Sequence, residues 1–337
     1  MDFNIGTVIG LLLRTMPFLV LRVLVYMGIT LAYIVVTGMG AGAGWLLGTA
    51  ASTGGAGALW GGLAGFVLTS GVLFWAREYL LYLVKAGHVA VLAQLLDGKE
   101  IPGGRGQIDY ARTVVKERFV ESSVLFAVDR LIKGILRVFN RVTMGAARLL
   151  PIPGLEPLMK LANAVINTSL TYVDEVILAH NVRTESDNPW ASSRDAVVLY
   201  AQNYKVMLKN AVFLTFIVWA LMLVIFVVVF APVAALVGLF PGVAGFWTFV
   251  LAVVTAWGLK AALVDPFAMA ALMQVYFKTT AGQAPDAEWS ARLEKMSGKF
   301  RQLKDRAAAA MPAAVATAED PAPAPAEARL ASEEAAP

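Results

Sequence analysis

The chain has 337 residues, of which 58% are hydrophobic and only 15% are charged, and its formal net charge is +4. Soluble domains average about 25% charged residues, so this composition disfavours a soluble globular protein. The absence of cysteine excludes disulfides, thiolate catalysis and cysteine-ligated metals. With only two histidines in addition, we predict neither a metal site nor a cofactor.

Two long stretches, 23–76 and 211–259, contain no Asp, Glu, Lys or Arg. A membrane-spanning helix needs about 20 apolar residues, so each stretch holds two spans and a turn. We therefore predict an all-α polytopic membrane protein with two transmembrane helical hairpins. The predicted spans pair as 17–37 with 56–76, and as 211–231 with 244–264.

The remainder of the chain divides around these hairpins. We predict a Gly-rich hairpin (1–76), a cytoplasmic or interfacial amphipathic helical region (77–209), a second hairpin (210–265), cytoplasmic amphipathic helices (266–310) and a disordered Ala/Pro/Glu tail (311–337).

Glycine recurs at every fourth residue in the first hairpin, which gives a helix a flat face that another helix can approach closely. We predict helix packing at Gly57, Gly61 and Gly65. The same spacing at Gly40, Gly44 and Gly48 is also compatible with a flexible outer loop.

The positions of the cations predict the orientation. The two predicted turns, 38–55 and 232–243, contain no Lys or Arg, whereas the middle segment and the region after Lys260 contain most of them. The positive-inside rule then puts both termini and the middle segment in the cytoplasm of a multi-pass plasma (inner) membrane protein. Arg22 lies near the cytoplasmic end of the first span, where its side chain can snorkel to the headgroups.

A helical pattern from Asp109 to about Leu149 puts apolar residues on one face and Lys133, Arg137 and Arg141 on another. This pattern is typical of a helix in the headgroup layer whose cations contact anionic lipid. The alternative is a helix that packs on the protein's own helices with its cations solvated.

A predicted helix over 157–183 carries polar residues along one face, namely Asn163, Asn167, Thr171, Asp174 and Asn181. If this helix is buried or inserted in the membrane, the polar face is suited to a hydrated solute path. If the helix lies at the surface, the same face is only its solvated side. Whether 119–139 and 157–180 span the membrane or lie on it stays open.

Two features follow the last predicted span. Asp265-Pro266 predicts a helix cap that ends the span, with an intramembrane carboxylate near Lys260 as the alternative. A single amphipathic helix is predicted over 286–310. Its apolar stripe has the spacing of a face that docks on another protein, and it comprises Trp289, Leu293, Met296 and Phe300.

Part of the middle segment resembles the choline transporter-like family. The resemblance lies in Ala111-Arg112, Ser122-Ser123, Phe126, Ile132 and Ile135 to Arg137, with a looser similarity at Val173-Asp174. It implies a multi-span transporter with a path for choline or ethanolamine, and it transfers no functional residue.

We predict a transporter- or channel-like protein for a small solute. The alternative is a membrane scaffold that presents amphipathic helices to a protein partner or to anionic lipid. We find no nucleophile elbow, P-loop, HExxH motif or carboxylate pair in the sequence, so no motif indicates an enzyme. The predicted partners are the lipid bilayer, its anionic headgroups, and a second copy or another membrane protein. Nucleic acid is not among them.

Overall fold

The computed structural model describes residues 1–104, 106–118, 127–138, 164, 170–239 and 245–310, and all regular structure within these ranges is helical. In chain order the helices are α1 (Ile5–Arg14), α2 (Met16–Thr49), α3 (Gly54–Leu96), α4 (Gly106–Arg118), α5 (127–138), α6 (Val173–Thr184), α7 (Pro189–Gln202), α8 (Tyr204–Val237), α9 (Gly245–Leu259), α10 (Asp265–Thr280), α11 (Ala287–Met296) and α12 (Gly298–Ala309). A 3₁₀ turn (Leu170–Tyr172) precedes α6, and a π-helical turn (Lys260–Val264) joins α9 to α10.

Four segments are long and apolar enough to cross a membrane, which confirms the prediction of an all-α membrane protein. They are Met16–Thr49, Gly54–Leu73, Tyr204–Val237 and Gly245–Thr280. Their outer surfaces expose large apolar side chains such as Leu31, Val67, Val227 and Phe249. Surfaces of this kind are stable against acyl chains and costly in water.

The predicted ends of two spans are wrong, because the helices run further than the predicted turns allow. Helix α2 stays helical to Thr49, so the turn is only the short segment 50–53. Helix α8 continues past Pro232 to Val237. Transmembrane helices tolerate glycine and proline inside them, so neither residue type marks a helix end in this chain.

The glycines of the first hairpin face one another across α2 and α3. A Cβ added to Gly44 would lie 2.1 Å from the carbonyl oxygen of Gly57, and one added to Gly40 would lie 2.3 Å from that of Gly61. Gly65 approaches the carbonyl of Val36 in the same way. The two backbones are therefore in direct contact, and 40–48 is helix and not a flexible loop.

A second group of helices forms what we call the polar body: residues 85–96 of α3 together with α4 to α7 and α10 to α12. Helix α10 is also the last part of the apolar segment Gly245–Thr280. The core of the polar body is continuous with the nearest ends of the apolar helices, which we call the foot of the bundle. This core includes Val89, Leu92, Ile132, Val176, Ile177, Leu199, Met269 and Tyr276. Helix α7 begins at Asn188, whose Oδ1 accepts from the amides of Trp190 and Ala191. The Nδ2 of the same Asn188 donates to the carbonyl of Ala307 at 2.7 Å and so ties α12 to α7.

The predicted helix 286–310 is two helices, and its apolar stripe is covered within the chain. Ser297 is extended, with φ −136°, and its side chain caps α12. Leu293 and Phe300 are buried in the core of the polar body, and Trp289 packs beside Tyr204 with ring centroids 5.9 Å apart. Met296 is half-buried. The prediction that this stripe holds a separate partner is wrong for Leu293 and Phe300, because the protein's own core already covers them.

Asp265 does not end the last span. The helix continues through the π-helical turn into α10, and Asp265 has the helical φ of −61° with no capping hydrogen bond from its side chain. The preferred prediction of a cap is therefore wrong, and the alternative, a carboxylate close to Lys260 within the helix, is what the structure contains.

Candidate functional site

Five ionisable side chains meet where α3, α5 and α6 pack together in the polar body. We call them the ion cluster: Lys85 from α3, Asp129 and Lys133 from α5, and Asp174 and Glu175 from α6. Asp174 is 7% exposed and Glu175 is 2% exposed. Acidic side chains are almost never buried to this extent unless they are paired.

The pairing runs through the two lysines. Lys85 forms an ion pair with Glu175, and its Nζ lies 3.7 Å from Oδ2 of Asp174. The Nζ of Lys133 lies 2.8 Å from Oδ2 of Asp129 and 3.3 Å from Oδ2 of Asp174. Asp174 is thus shared between both ammonium groups and connects the two ends of the cluster.

The cluster holds more negative than positive charge, since three carboxylates face two ammonium groups. Burial and the neighbouring Asp174 charge raise the pKa of Asp129 to about 6, against the opposing effect of Lys133. Burial lowers the pKa of Lys85. Burial also acts to lower the pKa of Lys133, but Asp174 and Asp129 outweigh it and raise that pKa. Asp129 can therefore gain or lose a proton near pH 6.

A cavity of about 20 Å³ adjoins the cluster, which is room for about one water molecule. Glu175 and Asn181 both line it. Among the described residues, Oε2 of Glu175 and Oδ1 of Asn181 are buried acceptors with no hydrogen-bond partner. A cavity with such acceptors is suited to a single hydrogen-bond donor, such as water or a hydrated proton.

The raised pKa of Asp129 predicts a pH-dependent stability. The unfolded value is 3.8 and the folded value is about 6, so the folded state holds the proton more tightly. The stabilisation from this tighter proton binding is complete below about pH 4 and is lost as the pH rises through about 6. We expect Asp129→Asn to remove this part of the change in melting temperature between these pH values. Asp109→Asn, at an exposed position of α4, is the control and should leave the wild-type dependence in place. Identical pH profiles for both variants would contradict the assignment.

A second group of polar side chains lies at the π-helical turn, and we call it the turn cluster. Lys260 Nζ is 2.6 Å from Oδ1 of Asp265, and the Tyr172 hydroxyl donates to the same oxygen at 2.7 Å. The Lys260 ammonium also lies 5.7 Å from the centroid of the Tyr172 ring. Burial and the adjacent carboxylate raise the pKa of Tyr172, so its hydroxyl keeps its proton and acts as a donor.

Arg22 enters the turn cluster from α2 and is only 4% exposed. Its Nη1 donates to the carbonyl of Ala261 at 3.5 Å, within the π-helical turn. Its Nε has no hydrogen-bond partner within the described ranges. The prediction that Arg22 snorkels is therefore wrong, because the side chain points into the helix bundle. Isolated π-helical turns frequently occur at functional sites.

The first turn of α6 links the two clusters, because Tyr172 belongs to one and Asp174 to the other. Of the predicted solute path, Asp174 is buried in the ion cluster and Thr171 is exposed. Asn163 and Asn167 lie outside the described residues. The alternative, in which the polar face is only the solvated side of the helix, is wrong for Asp174 because that side chain is buried. It is also wrong for Asn181, which is buried and whose Nδ2 donates to Oγ of Ser193.

The predicted headgroup contacts on α5 have different surroundings from those expected. Lys133 forms ion pairs with Asp129 and Asp174 while 44% of its side chain is exposed, so its contact with lipid stays a prediction. Arg137 is exposed, and Arg141 lies outside the described residues. Nothing in the sequence alone marks Lys85 or Glu175 as a site residue, and the signal for Asp129 is weak. The only available signal was the spacing of four residues between Asp129 and Lys133, which favours an ion pair on a helix.

Among the residues that the structure describes, no group of His, Cys, Asp and Glu could hold a metal ion. Comparison of the chain with protein-family models, with curated proteins and with solved structures gives no match. The resemblance to the choline transporter-like family therefore stays a prediction.

Proposed function

We propose that this chain is a multi-pass transport protein for a small solute, in which the ion cluster takes up and releases a proton. The observation that carries the proposal is a group of five interacting ionisable side chains, including the buried carboxylates Asp174 and Glu175, beside a water-sized cavity at the foot of four apolar helices. Ionisable side chains inside or beside membrane helices are typical of proton relays and ion pathways.

The charge balance of the ion cluster supports a proton as the transferred species. With Asp129 ionised the cluster has one excess negative charge, and with Asp129 protonated two ammonium groups face two carboxylates. Lys133 contacts both Asp129 and Asp174, so protonation of Asp129 leaves Lys133 to Asp174 and Lys85 to Glu175. The cavity has too little volume for an organic solute, and it accommodates a water molecule that can pass the proton on.

The proposed topology has two transmembrane hairpins, with both termini and the polar body in the cytoplasm of a plasma (inner) membrane. The uncharged turn at 50–53 supports an outer location for one end of the first hairpin. Lys205 and Lys209, just before the apolar part of α8, support a cytoplasmic location for the start of the second hairpin.

The scaffold alternative has lost part of its basis. It presents the basic middle segment and the 286–310 helices to a protein partner or to anionic lipid, and Leu293 and Phe300 of those helices are covered by the polar body.

The test is proton flux into liposomes that contain the purified chain and a pH-sensitive dye, driven by an imposed membrane potential. We expect Asp174→Asn to reduce the flux about tenfold or more, because a change of about 1.4 kcal/mol in the energy of the bound proton corresponds to that factor. Asp305→Asn removes an exposed carboxylate from α12 and should leave the flux unchanged. Wild-type flux equal to that of empty liposomes, or equal flux in both variants, would contradict the proposal.

A further inference from the structure

Helix α1 crosses the foot of the helix bundle. At its start, the amide of Asp2 donates to Asn210 and the ring of Phe3 packs on Phe267 with centroids 6.5 Å apart. Its other end joins α2 at Thr15, whose hydroxyl lies 3.0 Å from Nε2 of His88. The contacts at its two ends place α1 across the foot of the bundle.

Three different faces of α1 can be distinguished at about 100° per residue. Val8 and Leu11 form the inner face and are buried in the protein core. The outer face consists of exposed apolar side chains, namely Ile5, Ile9 and Leu13. The third face borders an open cleft and consists of Thr7, Gly10 and Arg14.

The outer face of α1 is continuous with the exposed apolar side of α2. Leu13 is followed at intervals of three and four residues by Met16, Val20 and Leu24, all of them exposed. The outer side of α2 belongs to one of the four segments that are apolar enough to cross a membrane. Continuity with that surface indicates that acyl chains also cover α1, as they cover an interfacial amphipathic helix.

The cleft beside α1 is strongly basic and has a volume of about 590 Å³. Arg14 and Lys278 line it, and neither has a carboxylate partner in the part of the chain that the structure describes. Arg183 and Asp97 also line it and are joined by an ion pair of 2.9 Å, while Arg183 lies 4.5 Å from the centroid of the Phe277 ring. Three cations and one carboxylate give the cleft two excess positive charges.

We propose that this cleft binds the phosphate-bearing headgroup of an anionic phospholipid whose acyl chains lie against the outer face of α1. The charge of the cleft complements a phosphate, and its volume lies within the range of clefts that hold small ligands. The adjacent apolar face of α1 accounts for a ligand that also has acyl chains. This site is separate from the ion cluster and does not depend on the transport proposal.

The test uses the full-length chain in detergent, with native mass spectrometry to count retained phosphatidylglycerol or phosphatidylcholine. We expect the wild type to retain phosphatidylglycerol in preference to phosphatidylcholine. Arg14→Gln combined with Lys278→Gln should weaken retention of phosphatidylglycerol about ten- to thirtyfold, since each cation near anionic lipid contributes about 1 kcal/mol. Arg112→Gln combined with Lys116→Gln removes two exposed cations from α4 and should retain the lipid as the wild type does.

Three results would overturn the proposal. Equal retention by the two double variants would show that the cleft does not bind the lipid, and equal retention of both lipids by the wild type would show that charge is not recognised. Displacement of phosphatidylglycerol by inorganic phosphate at millimolar concentration would identify free phosphate as the ligand.

A second measurement tests the acyl contact and exploits the absence of cysteine in the chain. A nitroxide attached to Leu13→Cys in liposomes should be relaxed by oxygen, which concentrates in the acyl region, and not by a water-soluble nickel complex. The same label on Arg112→Cys should be relaxed by the nickel complex and much less by oxygen. Relaxation of both labels by nickel would overturn the proposed position of α1.

Discussion

Lys85→Met should lower the free energy of unfolding by about 3 kcal/mol, because it leaves the carboxylate of Glu175 buried without its cation. Glu175 is 2% exposed, so bulk water would solvate its carboxylate poorly after the ammonium group is lost. The expected loss lies at the low end of the range for broken buried pairs, because 32% of the Lys85 side chain is exposed to solvent. The measurement is the denaturation curve of the purified protein in one fixed detergent.

The matched control is Lys99→Met, which breaks an exposed ion pair with Glu185 on the same polar body. That pair should contribute less than about 1 kcal/mol, because both of its side chains are solvated. Lys85→Met combined with Glu175→Leu should recover most of the loss, since no unpaired charge remains buried. If the Lys85 and Lys99 variants are equally stable, the ion cluster is not the buried, interdependent group described above.

Gly44→Ala should destabilise the first hairpin by about 1–3 kcal/mol, because the new methyl group has no space between α2 and α3. The added Cβ would lie 2.1 Å from the carbonyl oxygen of Gly57, and backbone atoms cannot rotate away as a side chain can. The two helices would have to separate, which would also weaken the contact of Gly40 with Gly61. The loss is measured as a lower melting temperature of the purified protein in one fixed detergent.

Gly42→Ala is the matched control, since it lies in the same helix two residues away. Nothing among the described atoms lies within 4 Å of a Cβ added at Gly42. The change should leave the melting temperature the same or raise it, because alanine favours helix by up to about 1 kcal/mol over glycine. Equal destabilisation by both changes would mean that Gly44 and Gly57 are not in contact.

The membrane class could be predicted from the sequence, because lipid requires uninterrupted apolar stretches that are visible without any tertiary information. The helix ends could not be predicted. Gly48 and Pro232 are residues that often end helices in water, but in lipid an unpaired backbone group costs more than the strain of continuing the helix. The glycine spacing correctly marked a packed face but could not identify the partner helix.

The candidate site was predicted only in part, for a related reason. Asp174 stood out as a carboxylate in a polar stripe, but its partners Lys85 and Lys133 come from helices distant in the sequence. Periodicity indicates that one face of a helix differs from another, and it does not identify what covers each face. The same limit applies to Phe300, which is covered by the protein's own core and not by a separate partner.

The measurement that tests the central claim most directly is the pH dependence of proton flux in liposomes that contain the wild type or Asp129→Asn. If the ion cluster carries the proton, the wild-type flux should change with a midpoint near pH 6, the pKa of Asp129, and this midpoint should be absent in the variant. Flux with the same pH dependence in both proteins, or no flux above that of empty liposomes, would contradict the account.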